Sequence, residues 1–352
     1  MRSRHLLGAL VALLVLWACA PQAEAARAPR VFYGVTAAQD LTPAEFDRMG
    51  HGRVGTLRIS FVWAAVQPSE SAPLDWGQYD SIIGEAARQG IQVLPTVYGS
   101  PHWAASQANH PPEKPHLGEF RAFVAAAAER YGPGGTFWAA NPSIPPHPVV
   151  WWQLWNEPNF PNFWLRKANP KRYAHLLRVF HGALRAGNPA ARVVLAGLFP
   201  TAGDVYKRGM NLEPYLTAIY RRHGKKLFDA AAIHPYAGRP SIALDRIRDM
   251  RRIMNRFKDR RTPIWVTEIG WASGGVRTGL TVGSRRQASY VRRTFKLLAK
   301  NRRRVKIAGV IWYSWRDLPG GIWFNHTGLF TQGYGPKPSW KAFVGLTGGS
   351  PG

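Results

Sequence analysis

An α/β fold in which eight parallel strands close into a barrel, a (β/α)8 barrel, is what this sequence predicts, on three observations. Eight short apolar runs recur along the chain, and amphipathic helical patterns separate most of them. The residues able to carry chemistry fall at the C-terminal ends of those runs, which is the working face of such a barrel. Strands that alternate with helices build parallel βα units. A count of eight favours closure over an open sheet. With 352 residues, 45% of them hydrophobic, the chain can build one large core.

The N-terminus reads as a leader, ahead of the fold. Residues 1–5 are basic, residues 6–18 are apolar, and Ala23-Glu-Ala25 fits a small-residue cleavage site. The apolar run is too short to span a bilayer comfortably. We therefore read 1–25 as a secretory signal and 26–352 as one barrel domain, exported to the medium or the cell envelope. Leu16-Trp-Ala-Cys19 also resembles a lipobox, which would make the leader a lipoprotein signal. Cys19 is the chain's single cysteine, so the mature domain is expected to stand without disulfides or thiolate metal sites.

The strands are read at 31–35, 54–60, 91–97, 149–155, 192–198, 228–234, 263–269 and 307–314. Helices are read at 76–89, stopped by Gly90, and at 117–131, closed by Gly132. Four more follow at 170–186, 212–223, 242–257 and 285–300. The Pro- and Gly-rich stretch 132–148 reads as a long loop decorating the barrel. In the helix at 242–257, Ile247, Met250, Met254 and Phe257 repeat at helical spacing, with bases on the other side.

The formal net charge is +27. Residues 246–261 hold eight Lys or Arg, and 292–306 is similarly loaded. Such charge speaks to partners and solubility, not to fold. It points to electrostatic association with anionic envelope polymers, lipid headgroups or an acidic glycan. Export and the motifs below argue against nucleic acid.

The fourth strand ends Trp151-Trp-Gln-Leu-Trp-Asn-Glu-Pro-Asn159, and the seventh ends Ile264-Trp-Val-Thr-Glu-Ile-Gly-Trp271. Each sets one carboxylate, Glu157 or Glu268, at a strand's C-terminal edge. These strands face each other across the barrel mouth. A strand end is a costly place for Glu unless it is paired or functional. Two facing carboxylates suit cleavage of a glycosidic bond: one protonates the leaving oxygen, and the other attacks the anomeric carbon or activates water.

Together these elements resemble glycoside hydrolase clan A over essentially the whole mature chain, with family 39 and the cellulase-like family 5 nearest. The resemblance implies Glu157 as acid/base in the Asn156-Glu157-Pro158 motif and Glu268 as nucleophile. It implies that Arg58, in Leu57-Arg-Ile-Ser60, steers the nucleophile. It implies that His234 and Tyr236 form the clan's His-x-Tyr pair, and that Trp312 floors the subsite of the cleaved sugar. Asn156 would bond the sugar 2-hydroxyl. The expected reaction is double displacement on a β-linked oligo- or polysaccharide, with the carboxyls about 5–5.5 Å apart. It needs no cofactor.

Aromatic candidates for sugar platforms are Trp63, Trp103, Phe163, Trp164, Trp271 and Trp323, with His102 beside Trp103 as a hydroxyl contact. Arg166, Lys167, Lys207, Arg208, Arg239 and Arg316 fall in or near the same loops and would suit an acidic substrate. Two other readings compete. A decayed barrel that only binds glycans is disfavoured by retention of both Glu residues with Arg58, Asn156 and Tyr236. A metal-dependent hydrolase is disfavoured because His102, His110 and His234 show no ligand spacing on one strand end.

Overall fold

The computed structural model describes residues 28–37, 40–164 and 167–352. The leader expected at 1–25, Cys19 within it, and Arg166 lie outside the described residues. Eight strands form one closed, all-parallel barrel in sequence order. They are β1 (Tyr33–Thr36), β2 (Thr56–Val62), β3 (Gln92–Tyr98) and β4 (Trp151–Leu154), then β5 (Arg192–Leu198), β6 (Ala230–Ile233), β7 (Ile264–Ile269) and β8 (Ile307–Tyr313). One principal helix follows each strand. They are α1 (Pro43–His51), α2 (Gly77–Arg88), α3 (Leu117–Tyr131) and α4 (Pro170–Gly187), then α5 (Leu212–Tyr220), α6 (Pro240–Arg256), α7 (Ser284–Val305) and α8 (Pro338–Thr347).

Two of these helices, α1 and α8, go beyond the sequence reading. The signal for α1 was present: Thr42 and Glu45 form a capping box, with Pro43 in the first turn. Its Glu45 is buried and accepts from Trp315 Nε1 at 2.9 Å, so the cap is tied to the segment after β8. α8 closes onto α1, where Thr347 Oγ1 donates to the Gly52 carbonyl at 2.6 Å. Contacts like these, between distant parts of the chain, leave little local periodicity to read.

The core has two parts. Side chains between sheet and helices form the larger one. Inside the barrel, Leu94, Val194, Ala230, Ala232, Trp265 and Ile311 fill the lower end, away from the strands' C-termini. Trp265 fits there because its neighbour on β8 is Gly309: a Cβ at Gly309 would lie 2.5 Å from Trp265 Cζ3. On the outside, α6 buries Ile247, Met250 and Met254 as its spacing predicted. One of its bases departs from the expected solvent-facing side. Arg251 is buried and donates to the carbonyls of Val305, Asp259 and Thr262. That arginine ties α6 to the ends of two other segments and adds nothing to the cationic surface.

Gly309→Ala forces overpacking against Trp265. We expect a loss of about 1–3 kcal/mol of stability, read as a lower urea midpoint with an unchanged slope.

Candidate active site

The barrel's upper interior is polar where its lower end is apolar. Even-numbered residues of β2 and β3 point inward, and going up the barrel they change from Leu94 to Thr96 and Tyr98, alongside Arg58 and Ser60. The polar groups bond one another. Arg58, 4% exposed, spreads its guanidinium over three partners. Nε donates to Gln153 Oε1 at 2.8 Å, one terminal nitrogen to Glu268 Oε1 at 2.6 Å, and the other to Asn156 Oδ1 at 2.9 Å. Gln153 also accepts from Thr96 and donates to the Leu195 carbonyl and to Thr267 Oγ1. A fully buried amide with this many partners acts as a rigid spacer between β2, β4, β5 and β7.

Glu268 stands at the end of β7, where the β7–β8 register shifts. Tyr236, after β6, donates to Glu268 Oε2 at 2.9 Å. Glu157 stands just past β4 on a bent backbone: Trp155 and Glu157 have φ of 67° and 39°, in the left-handed region that bulky residues avoid. Strain of this kind persists where surrounding contacts determine it, and here Trp155 is buried beneath the loop that follows. His234 joins the two acids. Its Nδ1 is hydrogen-bonded to Glu157 Oε1 at 2.6 Å and lies 3.5 Å from Glu268 Oε2, while Nε2 meets Thr267 Oγ1 at 3.0 Å. Ligand atoms of Glu157, His234 and Glu268 all fall within 4.8 Å of one another. Such a cluster can hold a cation, but the Arg58 guanidinium already supplies the positive charge against Glu268.

The environments separate the two acids. Burial, the largest influence, raises the Glu157 carboxyl above its ordinary range, and the charge of Glu268 adds to this against the opposing pull of His234 and Arg58. Burial pushes Glu268 upward as well. There His234, Arg58 and the Tyr236 hydroxyl outweigh it and hold the carboxyl below its ordinary range. One group keeps its proton where the other has lost it. Burial and the charge of Glu268 keep the Tyr236 hydroxyl protonated, hence a donor, far above neutrality. Above the pair lies a cavity of about 500 Å3 that reaches both carboxylates.

No family model matches the sequence, and no curated protein does so either. Solved structures do match. A family 39 glycoside hydrolase from Bacteroides cellulosilyticus superposes with a TM-score of 0.69 at 21% identity, over 91% of this chain and 64% of that one. A monomeric β-xylosidase from Caulobacter crescentus gives 0.65 at 16%, over 91% and 69%. GH5_18 from Streptomyces cattleya, in complex with GlcNAc, gives 0.68 at 16%, over 91% and 80%. The fold is that of clan A glycoside hydrolases. This chain spans 64% of the length of the first of these clan A neighbours.

Within this barrel, Arg58, Asn156, Glu157, His234, Tyr236 and Glu268, read from the sequence as one site, come together. Four other predicted contacts are not at the cavity. Trp312 is wholly buried, and its Nε1 donates to the Thr327 carbonyl. Its neighbour Tyr313 lines the cavity instead, because adjacent strand residues face opposite sides. Trp164 is fully buried against Trp155 and Tyr173, supporting the loop from below. Trp103 packs edge-on against Trp63 and donates to the Gln67 carbonyl, and His102 is exposed away from the cavity. Among the other platform candidates, Trp63 and Trp271 are buried, while Phe163 and Trp323 do line the cavity.

None of the described loop cations proposed for an acidic substrate lines the cavity. Lys167, Lys207, Arg208 and Arg239 are exposed outside it, and Arg316 pairs with Asp40. A larger groove of about 1020 Å3 lies elsewhere, lined by Lys171, Arg172, Arg178 and Arg221. It holds no carboxylate pair, and its cations belong to the basic surface. The residues missed include Tyr313 and the loop residues Phe160, Phe199 and Tyr206 at the cavity, and Gln153, Thr267 and Gly197 beneath it. Gln153 had a signal, an amide in the middle of an apolar strand.

Gly197 had none, since its role is to leave room: a Cβ there would sit 1.9 Å from His234 Nε2. Gly197→Ala is expected to displace the imidazole and break its bond to Glu157. That bond lowers the Glu157 pKa, so its loss should raise it further, visible as an upward-shifted carboxyl titration by isotope-edited infrared spectroscopy.

Proposed function

We propose that this protein is a retaining glycosidase acting by double displacement on a β-linked carbohydrate, with Glu157 as acid/base and Glu268 as nucleophile. The observation that carries the reading is the pair of buried carboxyls, with oxygens within 4.8 Å, whose surroundings drive their pKa values apart. Inverting pairs stand about 6.5–9.5 Å apart to admit a water, and retaining pairs about 5–5.5 Å. The fold likeness to family 39 and family 5 enzymes supports the same class.

The steps follow from position. Charged Glu268, held by Arg58 and Tyr236, attacks the anomeric carbon while protonated Glu157 donates to the departing oxygen. The bond to that oxygen breaks and a glycosyl ester forms on Glu268. Glu157, now a carboxylate, takes a proton from water. The water attacks the same carbon, the ester bond to Glu268 breaks and returns it as a carboxylate, and the sugar leaves with retained configuration. Asn156, whose amide nitrogen has no partner among the described residues, would donate to the sugar 2-hydroxyl. Among the described residues that line the cavity, Arg58 is the only Lys or Arg and is already committed to Glu268, which supports a neutral sugar at the bond cleaved. The leader at residues 1–25 supports action outside the cytoplasm, and the cationic outer helices support association with anionic envelope polymers.

On a panel of β-linked glycosides, Glu157→Gln and Glu268→Gln should each lower kcat by about 100- to 10,000-fold. Glu157→Gln should lose least on aryl glycosides, whose leaving groups need no proton. Activity undiminished in Glu268→Gln sinks the assignment, and a silent wild type that binds glycans favours a binding protein.

The pH profile of kcat/KM should be bell-shaped. The acid limb, where Glu268 gains its proton, should lie below the ordinary carboxylate range. The alkaline limb, where Glu157 loses its proton, should lie above it, and Glu157→Gln should abolish the alkaline limb alone.

A further inference from the structure

The cavity above the carboxylates is divided, and the division has a chemical meaning. On one side the ends of β1–β3 contribute Thr36, Ser60, Thr96 and Tyr98, hydroxyl-bearing groups of the kind that read a sugar. On the other side the loops after β4 and β5 contribute Phe160, Phe163, Phe199, Val205 and Tyr206. These rings are continuous: Phe160 meets Tyr206 at 4.2 Å and Phe199 at 5.7 Å between centroids. The loops after β7 and β8 add Leu280, Trp323 and Phe324, with Trp323 edge-on to Tyr236 at 5.5 Å.

Exposure follows the same division. Eight large apolar side chains are exposed among the described residues. Six of them, Val205, Tyr206, Val276, Ile322, Phe324 and Tyr334, sit on the loops after β5, β7 and β8, and Val205, Tyr206 and Phe324 line the cavity itself. Exposed apolar side chains gathered at one mouth, not scattered, mark a binding surface. An aromatic wall alone would suit a second sugar, which stacks its C–H face on a ring. Val205 and Leu280 have no ring to offer. Among the described lining residues of the loops after β4 and β5, only Asn162 and Tyr206 carry a polar side-chain group beyond the catalytic cluster, and the loops after β7 and β8 add only the Trp323 indole N–H. A pyranose placed there would lose hydration at its hydroxyls with few partners to replace it.

Position decides which half of the substrate lies there. Glu157 gives its proton to the leaving oxygen, so the aglycone must extend on the Glu157 side. Phe160 is three residues further along that same loop.

We propose that the preferred substrate is a glycoside of an apolar aglycone, a hydrocarbon or lipid-like alcohol, which the aromatic and aliphatic wall beside Glu157 accepts. This rests on the glycosidase reading for its orientation. The wall is a feature of the cavity that binding alone can test.

The test uses Glu157→Gln protein, so that no turnover complicates the measurement, and n-alkyl β-D-glucosides from methyl to octyl below their micelle concentrations. Affinity is measured by calorimetry. A fully buried methylene is worth roughly fourfold in affinity, and one on a wall open to water roughly twofold. Octyl glucoside should therefore bind on the order of 100-fold tighter than the methyl compound. The double substitution Val205→Ser, Tyr206→Ser, on an exposed loop, should flatten that dependence. An affinity that does not change with chain length, no binding by any member, or a dependence the double substitution leaves intact would each overturn the proposal. Wild-type protein is then given the same series. Chain-length-dependent binding without release of glucose or of sugar from the aryl panel would count against the glycosidase reading while leaving the apolar wall in place.

Discussion

The ion pair between Arg58 and Glu268 is the contact on which the rest of the site depends. Both side chains are buried, and their charges lie 2.6 Å apart inside the barrel. Two charges taken out of water cost several kcal/mol each unless geometry and further hydrogen bonds compensate. Here the compensation is nearly complete. Gln153 and Asn156 each accept from one of the other two guanidinium nitrogens, and Tyr236 donates to the second carboxylate oxygen. The pair also spans the barrel from β2 to β7, so satisfying it fixes which strands face each other at the mouth. A buried pair is weak evidence of stability and better evidence of a site that needs a charge held in place.

From that fixed charge the chemistry follows. Glu268 stays ionised because cationic and hydroxyl donors outweigh its burial, and its charge, with burial, then keeps the proton on Glu157. His234 couples the two through Nδ1 and is itself oriented by Thr267. Gly197 provides the space for that imidazole. The two carboxyls thus owe their difference to partners that come from β2, β4, β6 and β7, and no single strand could create it.

Much of the fold could be read because parallel barrel strands are buried on both faces and appear as continuous apolar runs. β5 and α3 coincide with their sequence reading, and other elements shift by a few residues at their ends. The helices α1 and α8 were not read, since each is short and leans on distant segments: α1 on the segment after β8 through Glu45 and Trp315, and α8 on α7 along its length and on the end of α1 through Thr347. In the site, Glu157 and Glu268 stood out as acids ending apolar strands, and Arg58 as a base inside one. The aromatics were harder. Trp164 shares a loop with Phe163, and Trp103, Trp312 and Trp323 lie at or after other strand ends, yet only Phe163 and Trp323 reach the cavity. Composition cannot say which side of a loop a ring faces.

The sequence by itself determined the eight-strand rhythm, the two carboxylates and the arginine between them, because burial and strand-end position leave marks on local composition. Only the tertiary structure decided the rest. It placed Tyr313 at the cavity where Trp312 was expected, turned Trp164 into a support beneath the loop, and buried Arg251 under α6. It also gathered Val205, Leu280 and Trp323 into one apolar wall opposite the hydroxyls of β1–β3. The reason is physical. Facing across a barrel depends on strand parity, register shifts and the paths of loops, and these are set by contacts between residues far apart in the chain.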